Sequence, residues 1–188
     1  MHRLFAAIIP PADVSAALVG IMGGIETARW QTAGQLHVTL AFVGEIERHA
    51  ANRVAEALHH VHSPALDLRI ADAGVFEAAR GGRIGTLYAG VAGAGLEALA
   101  RRAQQCCRHA GVMPDGRRFV PHITLARFPS AGVMVEAVQP WLANPLPRIG
   151  WKAESFWLVE SRLGRGGSHY EPIVEYPLKG NSADQRPR

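Results

Sequence analysis

The stretches LHVTLAFVG (36–44) and VPHITLARF (120–128) share one order of residue types: a histidine, an aliphatic residue, a threonine and a leucine. Along a β-strand, successive side chains point to opposite faces. His37 and Thr39 would therefore point one way while Val38 and Leu40 point the other, and His122 and Thr124 separate from Ile123 and Leu125 in the same manner. On a helix, residues two apart diverge by about 200° and the pairing would be lost. Each copy thus offers an imidazole beside a hydroxyl on a strand anchored by aliphatic residues.

Two such strands facing one cleft would bring together two imidazoles and two hydroxyls. With an unperturbed pKa near 6.5, one histidine can be protonated while the other is neutral. In-line displacement at phosphorus needs that combination: a base for the nucleophile's proton and an acid for the leaving oxygen. Threonine hydroxyls can donate to the non-bridging oxygens, and Arg127 can add a charge-assisted contact. Strict alternation places Arg127 on the face opposite His122, so it reaches the cleft only if the strand ends or bulges there.

Other chemistries fit less well. A single HxT on a strand is ordinarily a histidine satisfied by a neighbour; two copies, each inside a strand pattern, are harder to obtain by chance. Neither motif carries a carboxylate at matching spacing, and two histidines make a poor metal site, so no metal is expected. His59, His60 and His62 do not share one helical face and read as solvated surface. Gly93, Gly95 and Ala98 outline a dinucleotide-binding turn, with Asp115 about 20 residues on. The segment before Asp115 reads as a helix end, however, so no second parallel strand delivers that carboxylate. No cofactor is expected. Cys106 and Cys107 are adjacent, unsuited to pairing with each other, and read as reduced thiols on a helix.

The chain that must position these groups has 188 residues, 48% of them hydrophobic and 19% charged, enough for an ordinary globular interior. Its net charge is +4, and 18 of its 20 basic residues are arginine, which forks onto phosphate. Arg117, Arg118, Arg162 and Arg165 are candidate contacts to an RNA backbone. No apolar run approaches a membrane span, and the opening MHRLFAAIIPP is too short for a signal-peptide core. A cytoplasmic monomer without membrane contact is the expectation. Strand patterns at RLFAAIIP, QLHVTLAFVG, PALDLRIADAGVF, RIGTLYAGV and FVPHITLARF interleave with helical patterns at 11–28, 47–61 and 95–111. Residues 133–144 read as a short helix interrupted by Pro140. RIGWKAESFWLVESRL and HYEPIVEYPL read as a final strand pair joined by GRGG. Several connections are too short for parallel crossovers, which predicts an α+β fold with antiparallel sheets.

The paired HxTL motifs resemble those of the two-histidine phosphoesterase superfamily, and within it the RNA 2′,3′-cyclic phosphodiesterases, the LigT-like proteins formerly described as 2′-5′ RNA ligases. RLFAAIIPP, RWQTAGQLHVTLAFVGE, VPHITLAR and LVESRLGRGGSHYEPIVEYPL follow the family's order nearly end to end, whereas GVFEAARGGRIGTLYAG departs from its usual pattern near Gly82–Leu87. The resemblance implies one bilobal domain over residues 1–180, with two antiparallel sheets related by a pseudo-two-fold axis around a central cleft. Helices would lie outside, one motif (37–40 and 122–125) would sit in each lobe, and 181–188 would form a flexible tail. It implies metal-independent opening of RNA 2′,3′-cyclic phosphates to 2′-phosphomonoesters. His37 would be the proton donor and His122 the proton acceptor, with Thr39, Thr124 and Arg127 binding substrate. A cyclic phosphodiesterase acting on a small nucleotide, or a non-catalytic module binding RNA ends, are the alternatives; retention of an acid–base pair argues against the second.

Overall fold

The computed structural model describes residues 1–78, 81–114, 116, 118–164 and 167–179; Asp115, Arg117, Arg165 and the tail 181–188 lie outside the described residues. Among the described residues nine strands occur in chain order: β1 (His2–Ile8), β2 (Arg29–Trp30), β3 (Val38–Ile46), β4 (Leu66–Glu77), β5 (Ile84–Ala92), β6 (His122–Arg127), β7 (Gly150–Ala153), β8 (Ser155–Gly164) and β9 (Gly167–Pro177). The helices are α1 (Ala12–Val19), α2 (Arg48–Leu58), α3 (Leu96–His109) and α4 (Gln139–Leu142).

Every pairing between these strands is antiparallel, as the α+β reading requires. The strand order is β7-β4-β5-β6-β3-β1-β8-β9, with β2 added beside β6. The two sheets expected from the sequence are thus hydrogen-bonded into one. Their junction is narrow: β3 and β6 share the single pair Val38–Ile123. The rest of that edge of β6 is taken by β2, with Arg29 opposite Arg127 and Trp30 opposite Ala126, followed by a bond from the Gln31 N–H to the Leu125 carbonyl. Each motif strand is consequently the innermost of four: β3, β1, β8, β9 on one side and β6, β5, β4, β7 on the other.

The large core lies on the face that receives Leu4, Ala6 and Ile8 of β1, Val38 and Leu40 of β3, and Ile123 and Leu125 of β6. α3 presents Leu96, Leu99, Ala100, Ala103 and Cys107 to it at helical spacing. The opposite face carries a small cluster of Phe5, Ala7 and Val159, flanked by Phe42, Trp157 and Tyr170. The helices thus cover the face away from the motif histidines. Cys107 is buried and its thiol is pushed up to about 11 by desolvation, so it is a packing residue and not a nucleophile.

Three local expectations change. α1 stops at Val19, short of Ala28, because Gly23 and Gly24 follow at φ 148° and 78°, outside helical space. Pro140 does not interrupt a helix but occupies the first turn of α4, where its missing N–H costs nothing. The strand expected over 148–163 is two strands at different places in the sheet: β7 pairs with β4, and β8 with β1. Trp151 and Ala153 are buried, then Phe156 and Leu158, so the period-2 phase slips at Glu154 where the chain crosses the sheet.

Candidate active site

Both motif strands carry the same irregularity. Against β1, Ala6 faces Ala41 but Ala7 faces Thr39, so Leu40 is an extra residue in β3. Against β5, Leu87 faces Ala126 but Tyr88 faces Thr124, so Leu125 is an extra residue in β6. Leu40 and Ala41 are both buried, as are Leu125 and Ala126, as a bulge that puts two consecutive side chains on one face requires. Beyond the bulge the alternation inverts. Arg127 returns to the face of His122 and Thr124, and Phe42 to that of His37 and Thr39. The parity obstacle to Arg127 is thereby removed, and Arg127 lines a pocket of about 300 Å³ together with His37 and Thr39.

The junction pair fixes how the two motifs meet. With Val38 opposite Ile123 in antiparallel register, one step to either side sets His37 against Thr124 and Thr39 against His122. The histidines lie on a diagonal, two residues apart along the strands and one strand apart across them. Their Cα atoms are then roughly 8 Å apart.

The rings are oriented alike. His37 Nδ1–H donates to the Gln35 carbonyl at 2.7 Å, and His122 Nδ1–H donates to the Val120 carbonyl at 2.7 Å. A carbonyl can only accept, so in each neutral ring the proton sits on Nδ1 and Nε2 is the nitrogen for acid–base work. Gln35 is itself held, its side chain donating to the Ser168 carbonyl at 2.6 Å and accepting from the Thr32 N–H at 2.9 Å. Each imidazole also touches one phenylalanine and one tyrosine. His37 lies 4.7 Å from Phe5 and 5.1 Å from Tyr170; His122 lies 4.8 Å from Phe76 and 5.2 Å from Tyr88.

This packing has an electrostatic consequence. Desolvation pulls the His37 pKa down to about 4; the Gln35 carbonyl opposes the shift, and the nearby charges of His122 and Arg127 add to it. The same couplings place His122 and Arg127 within electrostatic reach of His37. An anionic phosphate entering the cleft would reverse this balance. Among the described residues, no three histidine, cysteine or acidic side chains are grouped as a metal site would need.

The structure thus brings together all five site residues singled out in the sequence, His37 and Thr39 from β3 and the chain entering it, and His122, Thr124 and Arg127 from β6. Arg162 is placed differently: it lies on β8, paired with Glu160 at 2.8 Å and Glu171 at 3.0 Å, so its charge is already answered. Sequence reasoning missed Arg3, Phe5, Phe76, Tyr88 and Tyr170. For two of them a signal existed, since Arg3 and Phe5 alternate with the buried Leu4 and Ala6.

Gly74 in β4 shows how closely one ring is placed. It is paired with Tyr88, and a Cβ at Gly74 would collide with the tyrosine ring. The missing side chain lets Tyr88 lie across β4, stacked on Phe76 at 4.4 Å. Gly74→Ala is expected to destabilise by about 1–3 kcal/mol through overpacking. Urea unfolding of G74A, Y88A and the double variant should show strong coupling, with the G74A cost largely absent once the ring is gone. Additive losses would mean that the glycine does not serve the tyrosine.

The sequence matches the 2′-5′ RNA ligase superfamily over residues 27–165. The chain belongs to that superfamily. An RNA 2′,3′-cyclic phosphodiesterase of Escherichia coli K12 is 28% identical over 184 residues, spanning 94% of this chain and 97% of its own. A crystal structure of a phosphoesterase superposes with TM-score 0.79 at 27% identity, covering 95% of this chain and 98% of that one. E. coli LigT in complex with 3′-AMP gives TM-score 0.76 at 26% identity, over 94% and 98% of the two chains. The resemblance drawn from the paired motifs therefore holds, and this member of the 2′-5′ RNA ligase superfamily is an enzyme of the phosphodiesterase class. None of its helices, among the described residues, is long and apolar enough to cross a membrane.

Proposed function

We propose that this enzyme hydrolyses RNA 2′,3′-cyclic phosphate ends to 2′-phosphomonoesters without a metal. The observation that carries the reading is the matched pair of imidazoles, each fixed through Nδ1 to the carbonyl two residues before it, on strands that meet at one residue pair. The cyclic phosphate sits between them. His122 Nε2 takes a proton from water as its oxygen bonds to phosphorus; the bond from phosphorus to the 3′ oxygen breaks, and His37 Nε2 gives that oxygen its proton. Thr39 and Thr124 donate to the non-bridging oxygens, and Arg127 answers their charge. After turnover His122 carries the proton and His37 lacks it, and exchange with solvent resets the pair. The two four-stranded halves are read as lobes related by an approximate two-fold axis through Val38–Ile123, with the cleft between them. The reading includes a cytoplasmic monomer with no cofactor.

The half-buried rings beside the histidines, Tyr170 next to His37 and Phe76 and Tyr88 next to His122, favour a nucleic-acid end, because a partly exposed ring offers a surface on which a base can stack. Metal independence has a direct test. Hydrolysis of an oligonucleotide ending in a 2′,3′-cyclic phosphate should proceed unchanged in EDTA, since side chains supply each role a metal would fill. Loss in EDTA that zinc or manganese restores would overturn that part of the reading.

A further inference from the structure

The pocket beside His37 holds a second guanidinium. Arg3 leaves β1 on the same face as Phe5 and Ala7, and Ala7 is the residue opposite Thr39. Four residues separate Arg3 from that pair, ~13 Å along the strand. Its guanidinium lies over the Phe42 ring, 5.5 Å from the centroid, and Phe42 occupies this face because of the bulge at Leu40. The register of β1 against β8 ends with Leu4 opposite Glu160, and Arg3 and Ser161, the next residue of each strand, line one pocket. Arg3, Phe42 and Ser161 line the same pocket as His37, Thr39 and Arg127.

Charge separates Arg3 from its neighbours. Glu160 is occupied by Arg162 and by His2 at 2.7 Å. Among the described residues no carboxylate forms an ion pair with Arg3 or with Arg127. One pocket thus presents two guanidiniums without an ion pair among the described residues, one beside the histidines and one a strand's reach away; Arg3 is paired in register with the exposed Glu45 but forms no ion pair with it, and lies on an aromatic face with a serine lining the same pocket. A guanidinium so fixed suits a phosphate oxygen pair, because its planar fork is preorganised and weakly hydrated. Arg127 serves the reacting phosphate, which leaves Arg3 for a different anion.

We infer that Arg3, with Ser161, holds the phosphodiester preceding the cyclic end, so that the preferred substrates are ends of oligonucleotides and not cyclic mononucleotides. This rests on the phosphodiesterase reading above and names the substrate class it favours.

Binding and turnover test the two readings separately. A dinucleotide and a mononucleotide, each carrying a 2′-phosphate, should differ in Kd by roughly tenfold in favour of the dinucleotide, the usual worth of one charge-assisted contact. The salt slope for the dinucleotide should be steeper by about 0.7, one additional single-strand phosphate contact. Both differences should vanish in Arg3→Ala and in Arg3→Gln, and shrink in Phe42→Leu, with circular dichroism confirming the native fold. A tenfold preference that persists in both arginine variants would overturn the inference. The same pair of compounds with 2′,3′-cyclic phosphates then reads turnover. Arg3-dependent binding without any hydrolysis by the wild type would sink the reaction and leave the subsite standing. Hydrolysis with an equal dinucleotide preference in wild type and R3A would sink the subsite alone.

Discussion

Replacing His37 or His122 by alanine is expected to lower kcat/KM on a cyclic-phosphate-ended oligonucleotide by about 10²–10⁴, the usual worth of one general acid or base. The double variant should lose little more than the worse single one, because both groups act in one transition state. The roles separate with a diester whose leaving group needs no proton, such as a nitrophenyl ester. His37→Ala, which lacks the proposed acid, should recover on that substrate, while His122→Ala, which lacks the base, should stay impaired. Recovery of His122→Ala instead would exchange the assignments. Losses below tenfold for both singles, with the fold intact, would remove the acid–base pair from the mechanism.

The second large effect concerns the proton on His37. In the free enzyme its pKa is pulled down to about 4 by desolvation first, with His122 and Arg127 adding to it. At neutral pH the ring is therefore neutral, yet the proposed acid must carry a proton. The substrate resolves this, because the phosphate's negative charge favours the imidazolium and raises the pKa on binding. By linkage, a 2′-phosphorylated nucleotide should bind with uptake of a proton, and more than tenfold tighter as pH falls from 8 towards 5. Carbon-detected NMR of the His37 ring, with and without the nucleotide, reads the shift directly. A ring that titrates near 6.5 in both states would contradict the electrostatic account. Stability follows the same sign. An unfolded chain binds this proton near pH 6.5, the folded one only near 4, so acidification through that window favours unfolding by about 3 kcal/mol at its end. His37→Asn should flatten that part of the stability profile.

The arrangement of the two motifs was legible because it depends on short-range parity. A histidine and a threonine two apart, over aliphatic residues, declare a two-faced strand, and the structure sets them so. The helical stripe of α3 and the antiparallel connectivity were legible for similar local reasons. The bulges were not. Leu40–Ala41 and Leu125–Ala126 read in sequence as ordinary alternation, and only pairing with β1 and β5 reveals that both residues of each pair turn inward. Arg127 depended on that step. Three aromatic neighbours were hidden for another reason: Tyr170, Phe76 and Tyr88 come from three strands that meet the motifs only through the sheet order. The break at Glu154 left a trace, a slip of phase between Trp151 and Phe156, that a reading of one continuous strand passes over.

The central claim is that two imidazoles, facing each other across the β3–β6 junction, direct water onto a cyclic phosphate and expel its 3′ oxygen. Phosphorus NMR of the product from an oligonucleotide with a 2′,3′-cyclic phosphate end measures this most directly, since it reports which ester bond breaks. A single 2′-phosphomonoester, formed by the wild type and lost in both His37→Ala and His122→Ala, is the predicted result. A 3′-phosphomonoester, an equal mixture of the two, or undiminished product from either variant would contradict it.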